Sequence, residues 1–203
     1  MTKIFNILIS IILLMISSGC SNSQDQTFIN GDIIFHTSLS SQSKFIQDAT
    51  TSKFSHVGII YIKKGKSYVF EAVEPVRLIP LSKWINKGEN KNYTVYRSKS
   101  PLSENDLTKM YEYCTKQEGK HYDTKFQWDD SKIYCSELVW YAYNSIGIQL
   151  STPKTFVDFE IESPEIKKEI VRRYGDKFVQ SELVVSPQCI IESRHLFKIF
   201  SNY

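Results

Sequence analysis

Two apolar segments joined by a short polar turn constrain the fold of this chain most strongly. Residues 56–62 and 67–73 have the apolar and β-branched content of strands. Residues 63–66 between them are polar and include Gly65, which adopts positive φ without strain. The pattern predicts a β-hairpin and therefore at least one antiparallel pair of strands.

The position of the turn also predicts which side chains meet across this hairpin. If the chain reverses at residues 64 and 65, Gly58 faces Glu71 and His56 faces Val73. His56 and Glu71 then share one face as diagonal neighbours, within reach of each other. Glu74 has the opposite parity and points away, and a one-residue slip would exchange the two carboxylates.

The remaining segments predict a single α+β domain without a repeat or a second domain. Strand-like segments come first, and amphipathic helices follow them. A turn followed by a strand is predicted at 31–35, and a further strand at 93–97. Helices are predicted within 38–55 and at 103–119, 135–147 and 165–174, and the segments 183–185 and 190–199 close the fold. The 103–119 helix opens with a capping-box pattern at Ser103–Asp106 and stops at Gly119.

Cys135 begins the predicted 135–147 helix, directly after Tyr134. A helix N-terminus lowers the pKa of a thiol, because its N–H groups favour the thiolate. Helical spacing places the thiol on the apolar face that turns toward the sheet. A cysteine or histidine of this kind is more often a packing residue when considered alone.

Together, Cys135, His56 and Glu71 provide what a nucleophilic thiol requires. His56 is the candidate base, Glu71 orients it, and the backbone N–H of Cys135 is a donor for an oxyanion. Tyr134 is a candidate to line the substrate site with its hydroxyl. The arrangement is papain-like, with the histidine before the cysteine in the chain.

The other histidines and cysteines are weaker candidates. His36 ends the first strand and is predicted to lie near the cleft, whereas His121 and His195 are expected to be structural or exposed. Cys114 and Cys189 look like core residues, with a disulfide between them as an open alternative. No close Cys/His cluster predicts a metal site, and no cofactor is expected.

The first residues have the pattern of a targeting signal. Lys3 precedes the apolar segment 4–16, and the run ISSGC ends at Cys20. Residues 1–19 are predicted to be a lipoprotein signal peptide, with Cys20 lipidated, residues 20–29 a short tether, and 30–203 the folded domain. A plain secretory signal is the alternative, and the apolar run is short for a transmembrane anchor.

Charge and compartment limit the classes of partner. The formal net charge is +3, and basic and acidic residues are interspersed, so no nucleic-acid partner is expected. Lipidation would attach the protein to the bacterial cell envelope. Ser21 lacks the acidic character that retains lipoproteins at the inner membrane, so the outer membrane is the weak preference.

Several motifs together resemble one known family. NGDIIFHTS, the Gln42-Ser43 segment, SKFSHVGIIY, VFEAVEPVRLIPLSKWI, GKHYDTKFQW, IYCSELVWYAY and SPQCIIESRHLFKIFSN occur in the order found in YiiX/YebB-like proteins. These proteins form the permuted branch of the NlpC/P60 superfamily. The resemblance implies a circularly permuted papain-like fold, with an antiparallel sheet packed against the Cys-bearing helix. It also implies Cys135 as nucleophile, His56 as catalytic histidine and Glu71 as third member, while His36 departs from the Arg or Lys of many relatives.

The resemblance and the residues lead to two hypotheses. The first is an envelope cysteine amidase or peptidase acting through an acyl-enzyme, with peptidoglycan peptides as a natural substrate. Within that class, the resemblance of the wider branch to lecithin:retinol acyltransferase-like enzymes leaves lipid acyl hydrolysis or transfer open. The second hypothesis is a non-catalytic binding lipoprotein, against which the intact Cys/His/Glu set argues.

Overall fold

The computed structural model describes residues 27–128 and 131–203, which form a mixed fold around an antiparallel sheet. The predicted signal peptide, Cys20 and most of the tether lie outside the described residues. No helix within the described ranges is both long enough and apolar enough to span a bilayer. The predicted α+β architecture is confirmed.

Six antiparallel strands form the main sheet in the order β10-β5-β1-β2-β3-β4. Two-stranded pairs join β6 to β7 and β8 to β9. The strands are β1 Ile33–His36, β2 His56–Lys63, β3 Lys66–Glu71, β4 Arg77–Pro80, β5 Thr94–Ser98, β6 His121–Tyr122, β7 Lys132–Ile133, β8 Lys154–Thr155, β9 Leu183–Val184 and β10 Leu196–Ser201.

Helices fill the intervals between these strands. The α-helices are α1 Ser43–Thr50, α2 Leu81–Ile85, α3 Glu104–Gln117, α4 Cys135–Asn144, α5 Pro164–Tyr174 and α6 Pro187–Ile191, with 3-10 turns at Glu89–Lys91, Phe156–Asp158 and Gly175–Lys177. The predicted Ser103 capping box is present at the start of α3. It satisfies N–H groups that the first turn leaves without intrahelical partners.

The hairpin register predicted from the sequence is confirmed. In the β2–β3 pair, Ile59 faces Phe70 and Ile60 faces Val69. This register is the one in which Gly58 faces Glu71, because each step forward in β2 is one step back in β3. His56 also faces His36 across the β1–β2 pair, so the ends of three adjacent strands bring polar side chains together.

The sheet separates two apolar clusters. The larger one packs side chains of the sheet against α3, α4 and the 150–190 segment, and includes Phe35, Val57 and Leu138. The smaller cluster lies on the opposite face of the sheet. It contains Ile34, Ile60, Val69, Val95 and the fully buried Trp84 of α2. Since both faces are covered, the central strands read as continuous apolar runs.

The sequence prediction missed some elements. Strand β4 and helix α2 were not predicted, because Pro75 and Pro80 interrupt the pattern in that segment. The closing segment 190–199 begins at the end of the short helix α6 and continues into β10. Cys114 and Cys189 are both free and buried, so the alternative disulfide between them is wrong.

Gly58 provides a test of how closely the hairpin packs. A Cβ built there would lie 2.4 Å from Val69 Cγ1 and 2.7 Å from the carbonyl oxygen of Phe70. Because the second contact is backbone, Gly58→Ala is expected to reduce the free energy of unfolding by about 2–3 kcal/mol in urea denaturation. Ser67→Ala, on the paired strand, is the control and should change it by less than about 0.5 kcal/mol. Equal stability of the two variants would contradict this packing.

Candidate active site

Cys135 is the first residue of α4 and is 2% exposed. Its sulfur accepts a hydrogen bond from the backbone N–H of Val57, at the start of β2. The Tyr134 N–H donates to Glu137 Oε2 at 3.2 Å, which fixes the first turn of the helix. The sulfur is therefore held where the helix tip meets the strand that carries His56.

His56 links this sulfur to a buried carboxylate. Its Nε2 lies 3.0 Å from Glu71 Oε2, and the Glu71 side chain is completely buried. The imidazole is also hydrogen bonded to Cys135, so it uses Nδ1 for the sulfur. This continuous chain from thiol to imidazole to carboxylate fixes the ring orientation and favours the imidazolium.

The electrostatic interactions between Cys135, His56 and Glu71 favour a thiolate–imidazolium ion pair. Burial raises the pKa of the Cys135 thiol, but the hydrogen bond and charge of His56 outweigh it and hold that pKa below its ordinary value. Burial also opposes the charge on His56, yet its hydrogen bonds to Cys135 and Glu71 raise the pKa of His56 to about 9. Both shifts favour the thiolate–imidazolium pair over the neutral thiol and imidazole.

Glu71 has three cationic partners. Besides His56, the Arg77 Nε donates to Glu71 Oε1 at 3.0 Å, and Lys87 Nζ donates to the same oxygen. Burial would raise the pKa of Glu71, but the hydrogen bonds and charges of His56 and Lys87 lower it to about 2. The carboxylate therefore stays ionised beside the imidazole.

His36 packs beside this pair without joining its hydrogen bonds. Its ring stacks on Trp84 with centroids 3.9 Å apart, and lies 5.3 Å from the His56 ring. Among the described residues, neither ring nitrogen of this fully buried side chain has a hydrogen-bond partner. Burial, and secondarily the charge of His56, lowers the pKa of His36 to about 2, so the ring is neutral. Gly88 leaves room for it, because a Cβ there would lie 2.8 Å from His36 Nδ1.

Two tyrosines flank the nucleophile in different ways. The Tyr122 hydroxyl lies 4.0 Å from the Cys135 sulfur and is hydrogen bonded to the Gln42 side chain. The Tyr134 hydroxyl instead accepts from Trp128 Nε1 at 2.8 Å and from the Val185 N–H at 3.1 Å. Tyr134 thus lines the site with its ring, while Tyr122 and Gln42 present polar groups near the sulfur.

Two cavities adjoin this centre from different sides. The walls of the apolar cavity include Phe45, Ile46, Tyr134, Cys135, Phe156 and Val185. The walls of the polar cleft include His36, Ser38, Gln42, His56, Lys87 and Tyr122. Cys135 lines the first cavity, and His56 lines the second.

The structure thus brings Cys135, His56 and Glu71 into one chain of contacts, with His36 and Tyr134 on the walls of the two cavities. His121 is exposed and pairs with Glu74 at 2.6 Å. Sequence reasoning missed the polar residues Tyr122, Gln42, Arg77 and Lys87. The GKHYD segment that contains Tyr122 was visible in the sequence, but no periodic signal assigned it to the site.

Within residues 27–128 and 131–203, no three His, Cys, Asp or Glu side chains are grouped so as to hold a metal ion. The charged groups around His56 pair with one another instead, and Glu71 accepts from three cations.

A sheet that carries histidine and glutamate, followed by a helix that begins with cysteine, defines a papain-like cysteine hydrolase with permuted order. Residues 27–200 match the family described as permuted papain-like amidase enzyme, YaeF/YiiX, C92 family, and the chain belongs to this family. The family and the permuted papain-like fold predicted from the motifs are thereby confirmed.

Two relatives from Escherichia coli agree with this assignment. The uncharacterized protein YiiX of strain K12 is 40% identical over 194 residues, which is 95% of each chain. The crystal structure of yiiX from strain O157:H7, described as a metalloprotein, superposes with a TM-score of 0.83 at 39% identity. That comparison covers 86% of this chain and 98% of the other.

Proposed function

We propose that this protein is an amidohydrolase in which Cys135 is the nucleophile, His56 the general acid and base, and Glu71 the orienting group. The observation that carries the proposal is the hydrogen-bonded chain from Cys135 through His56 to the buried Glu71. Membership of a papain-like amidase family supports it. A purely binding role would not require an imidazolium held against a thiolate.

Acylation uses the groups on both sides of the sulfur. The Cys135 thiolate attacks the amide carbon, and the carbonyl π electrons move to oxygen. The Cys135 backbone N–H and the polar hydrogens of Gln42 and Tyr122 stabilise that oxyanion. His56 then gives its proton to the leaving nitrogen as the C–N bond breaks, which releases an amine and leaves a thioester.

Deacylation returns the site to its starting state. Neutral His56 takes a proton from water as the oxygen attacks the thioester carbon, and the C–S bond breaks. The products are a carboxylic acid and the thiolate–imidazolium pair. Glu71 keeps the same imidazole nitrogen hydrogen bonded in both half-reactions, so the ring does not need to reorient.

The pH dependence tests the ion pair directly. Iodoacetamide should alkylate Cys135 at about pH 7 at least about tenfold faster than it alkylates free cysteine, because the hydrogen bond and charge of His56 favour the thiolate. kcat/KM for amide hydrolysis should form a bell whose alkaline limb falls near pH 9, where His56 loses its proton. Alkylation should continue above that pH, since it needs only the thiolate.

Peptide mapping would assign the alkylated cysteine, because Cys114 and Cys189 are buried and free in the same chain. Cys114→Ala is the matched control and should leave the rate unchanged. Alkylation of Cys135 no faster than that of a model thiol at neutral pH would contradict the proposed nucleophile.

We also propose a location and a substrate for this enzyme. We place the enzyme at the cell envelope through lipidation of Cys20, which would hold it beside peptidoglycan peptides as amide substrates. Incubation with peptidoglycan fragments, followed by mass spectrometry of the released peptides, tests this substrate. Labelling with radioactive palmitate, compared between the native chain and Cys20→Ala, tests the anchor.

The apolar cavity favours a second candidate, hydrolysis of an acyl amide or ester with an aliphatic acyl group. Its wall includes Cys135 itself, and Phe45, Ile46 and Phe156 supply carbon surface. An aliphatic chain that enters this cavity would place its carbonyl at the sulfur. Each methylene removed from water there contributes about 0.8 kcal/mol.

Chain length separates the two candidates. For a series of N-acyl amides, kcat/KM should rise about two- to fourfold per added methylene until the cavity is full. Ala49→Trp, which places a large side chain at the cavity wall, should abolish this rise. Ala49→Ser is the control of similar volume. A flat chain-length profile combined with release of peptidoglycan peptides would favour the first substrate.

A further inference from the structure

We propose that the polar cleft is a subsite for an anionic group, a carboxylate or a phosphate, carried by the leaving group of the substrate. The inference rests on the proposed function and names the substrate class: an amide that joins an apolar acyl group to an anionic amine. Three independent features of the cleft carry it.

The first feature is an excess of positive charge beside the catalytic pair. Glu71 and the Cys135 thiolate are two anions. They face three cations, His56, Arg77 and Lys87, which leaves one positive charge in excess. Lys87 lines the cleft, and its side chain is 36% exposed, so it is accessible from the cavity. Positive charge on the wall of a cavity favours binding of an anionic ligand group over a neutral one.

The other charges of the cleft largely neutralise one another. Arg172 and Arg173 both pair with Glu169, which lies on the same helix, α5. Glu74 also lines the cleft, and it pairs with His121 and accepts the Tyr122 N–H. The excess positive charge is thus concentrated at the end where Lys87 meets the catalytic histidine.

The second feature is the N-terminus of α1. Ser40, Ser41 and the N-cap Gln42 line the cleft, and the Gln42 side chain makes no capping hydrogen bond. The first turn carries Ser43, Lys44 and Phe45, so no acidic residue in it offsets the positive end of the helix dipole. A helix terminus of this kind favours an anion.

The third feature is His36, which is fully buried on the cleft wall with neither ring nitrogen hydrogen bonded among the described residues. A neutral imidazole has one N–H donor, and burial without a partner is unfavourable. An anionic oxygen at this wall of the cleft would satisfy that donor once a small shift of the wall uncovers the nitrogen, which is covered in this structure. The β1–β2 pairing and the Leu39 N–H bond to the Lys87 carbonyl hold His36, Lys87 and the start of α1 close together.

The position of His56 decides which part of the substrate enters this cleft. His56 must protonate the leaving nitrogen, and it lines the polar cleft, whereas Cys135 lines the apolar cavity. The acyl group therefore extends into the apolar cavity and the amine into the polar cleft. An amine with a carboxylate or phosphate places that group among Lys87, His36 and the α1 terminus.

Calorimetric binding to the full chain carrying Cys135→Ala tests the subsite without requiring turnover. The first probe pair is N-octanoylglycine and neutral N-octanoylglycinamide. The second is N-octanoyl-O-phosphoethanolamine and neutral N-octanoylethanolamine. We expect the anionic member to bind at least about tenfold more tightly in one or both pairs, and the pair with the larger ratio identifies carboxylate or phosphate as the group.

Adding Lys87→Met should reduce that anionic preference at least about threefold, whereas adding Lys66→Met, on the exposed part of β3, should preserve it. Circular dichroism would show whether each variant is folded. The comparison of anionic and neutral probes on the protein that carries only Cys135→Ala tests the subsite even if a lysine variant does not fold. Equal binding within both pairs, or no binding by any probe, would overturn the subsite. If the subsite fails this test but Cys135 of the native chain is alkylated rapidly, the proposed nucleophile is still supported. If Cys135 is alkylated slowly but the anionic probes bind more tightly, the subsite is supported and the nucleophile is not.

Discussion

Replacing Cys135 by alanine is expected to reduce kcat/KM for amide hydrolysis by at least about 10⁴-fold. The sulfur forms the covalent bond to the acyl group, and the alanine side chain has no nucleophilic atom that could replace it. Turnover of the same amide substrate by the purified variant, followed by mass spectrometry of the products, measures the loss.

The fold should survive this substitution. Cys135 is buried, but removing one sulfur from the first turn of α4 should change the free energy of unfolding by less than about 1.5 kcal/mol. Cys189→Ala removes a buried thiol from α6 instead and should retain full activity, so it controls for packing. Unchanged amide hydrolysis by a folded Cys135→Ala protein would exclude Cys135 as the nucleophile.

Glu71→Gln is expected to produce the second largest loss, about 10²–10³-fold in kcat/KM. The amide keeps the shape of the carboxylate but carries no charge, so His56 loses the partner that holds its proton. The free energy of unfolding should also fall by about 3 kcal/mol, because His56, Arg77 and Lys87 then surround a neutral group.

The direction of the pH effects distinguishes this role from simple damage. Without the carboxylate, the pKa of His56 falls and the pKa of Cys135 rises. The pH range over which kcat/KM is high therefore becomes narrower at both its acid and its alkaline limb. In the native chain the pKa of Glu71 is lowered from 4.5 to about 2. Its contribution to stability is therefore present above about pH 4.5 and lost as pH falls toward 2, and this acid dependence should disappear in the variant.

Glu74→Gln is the matched control for Glu71→Gln. Glu74 is three residues away but exposed, and it pairs with His121 outside the catalytic chain. Its replacement should change kcat/KM by less than about twofold. A larger loss for Glu74→Gln than for Glu71→Gln would mean that the two carboxylates have the opposite assignment.

This choice between two carboxylates shows what the sequence could predict. The turn at Gly65 and the alternation of side chains were enough to place His56 and Glu71 on one face, and the observed β2–β3 register agrees. The helix that begins at Cys135 followed from its apolar face and its stop at Gly147. These are local patterns, each contained within a few turns or one hairpin.

The surroundings of the site could not be predicted in the same way. Lys87 and Trp84 reach Glu71 and His36 only because α2 folds back over the end of the sheet, and prolines concealed that helix. Tyr122 reaches Cys135 from a two-residue strand, which has too few residues to show a period. Contacts between distant segments depend on tertiary packing, which sequence periodicity does not encode.

The order of the chain also divides the reaction between two segments. His56 and Glu71 lie 15 residues apart on one hairpin, whereas the sulfur comes from the later helical half. A break in the connection between β5 and α3 would leave acid–base chemistry on one fragment and covalent chemistry on the other. Strand β10 would rejoin them by pairing with β5, and the Tyr203 hydroxyl would again accept from the Thr37 N–H. Two separately expressed pieces would thus be inactive alone, and recovered hydrolysis would report their reassembly.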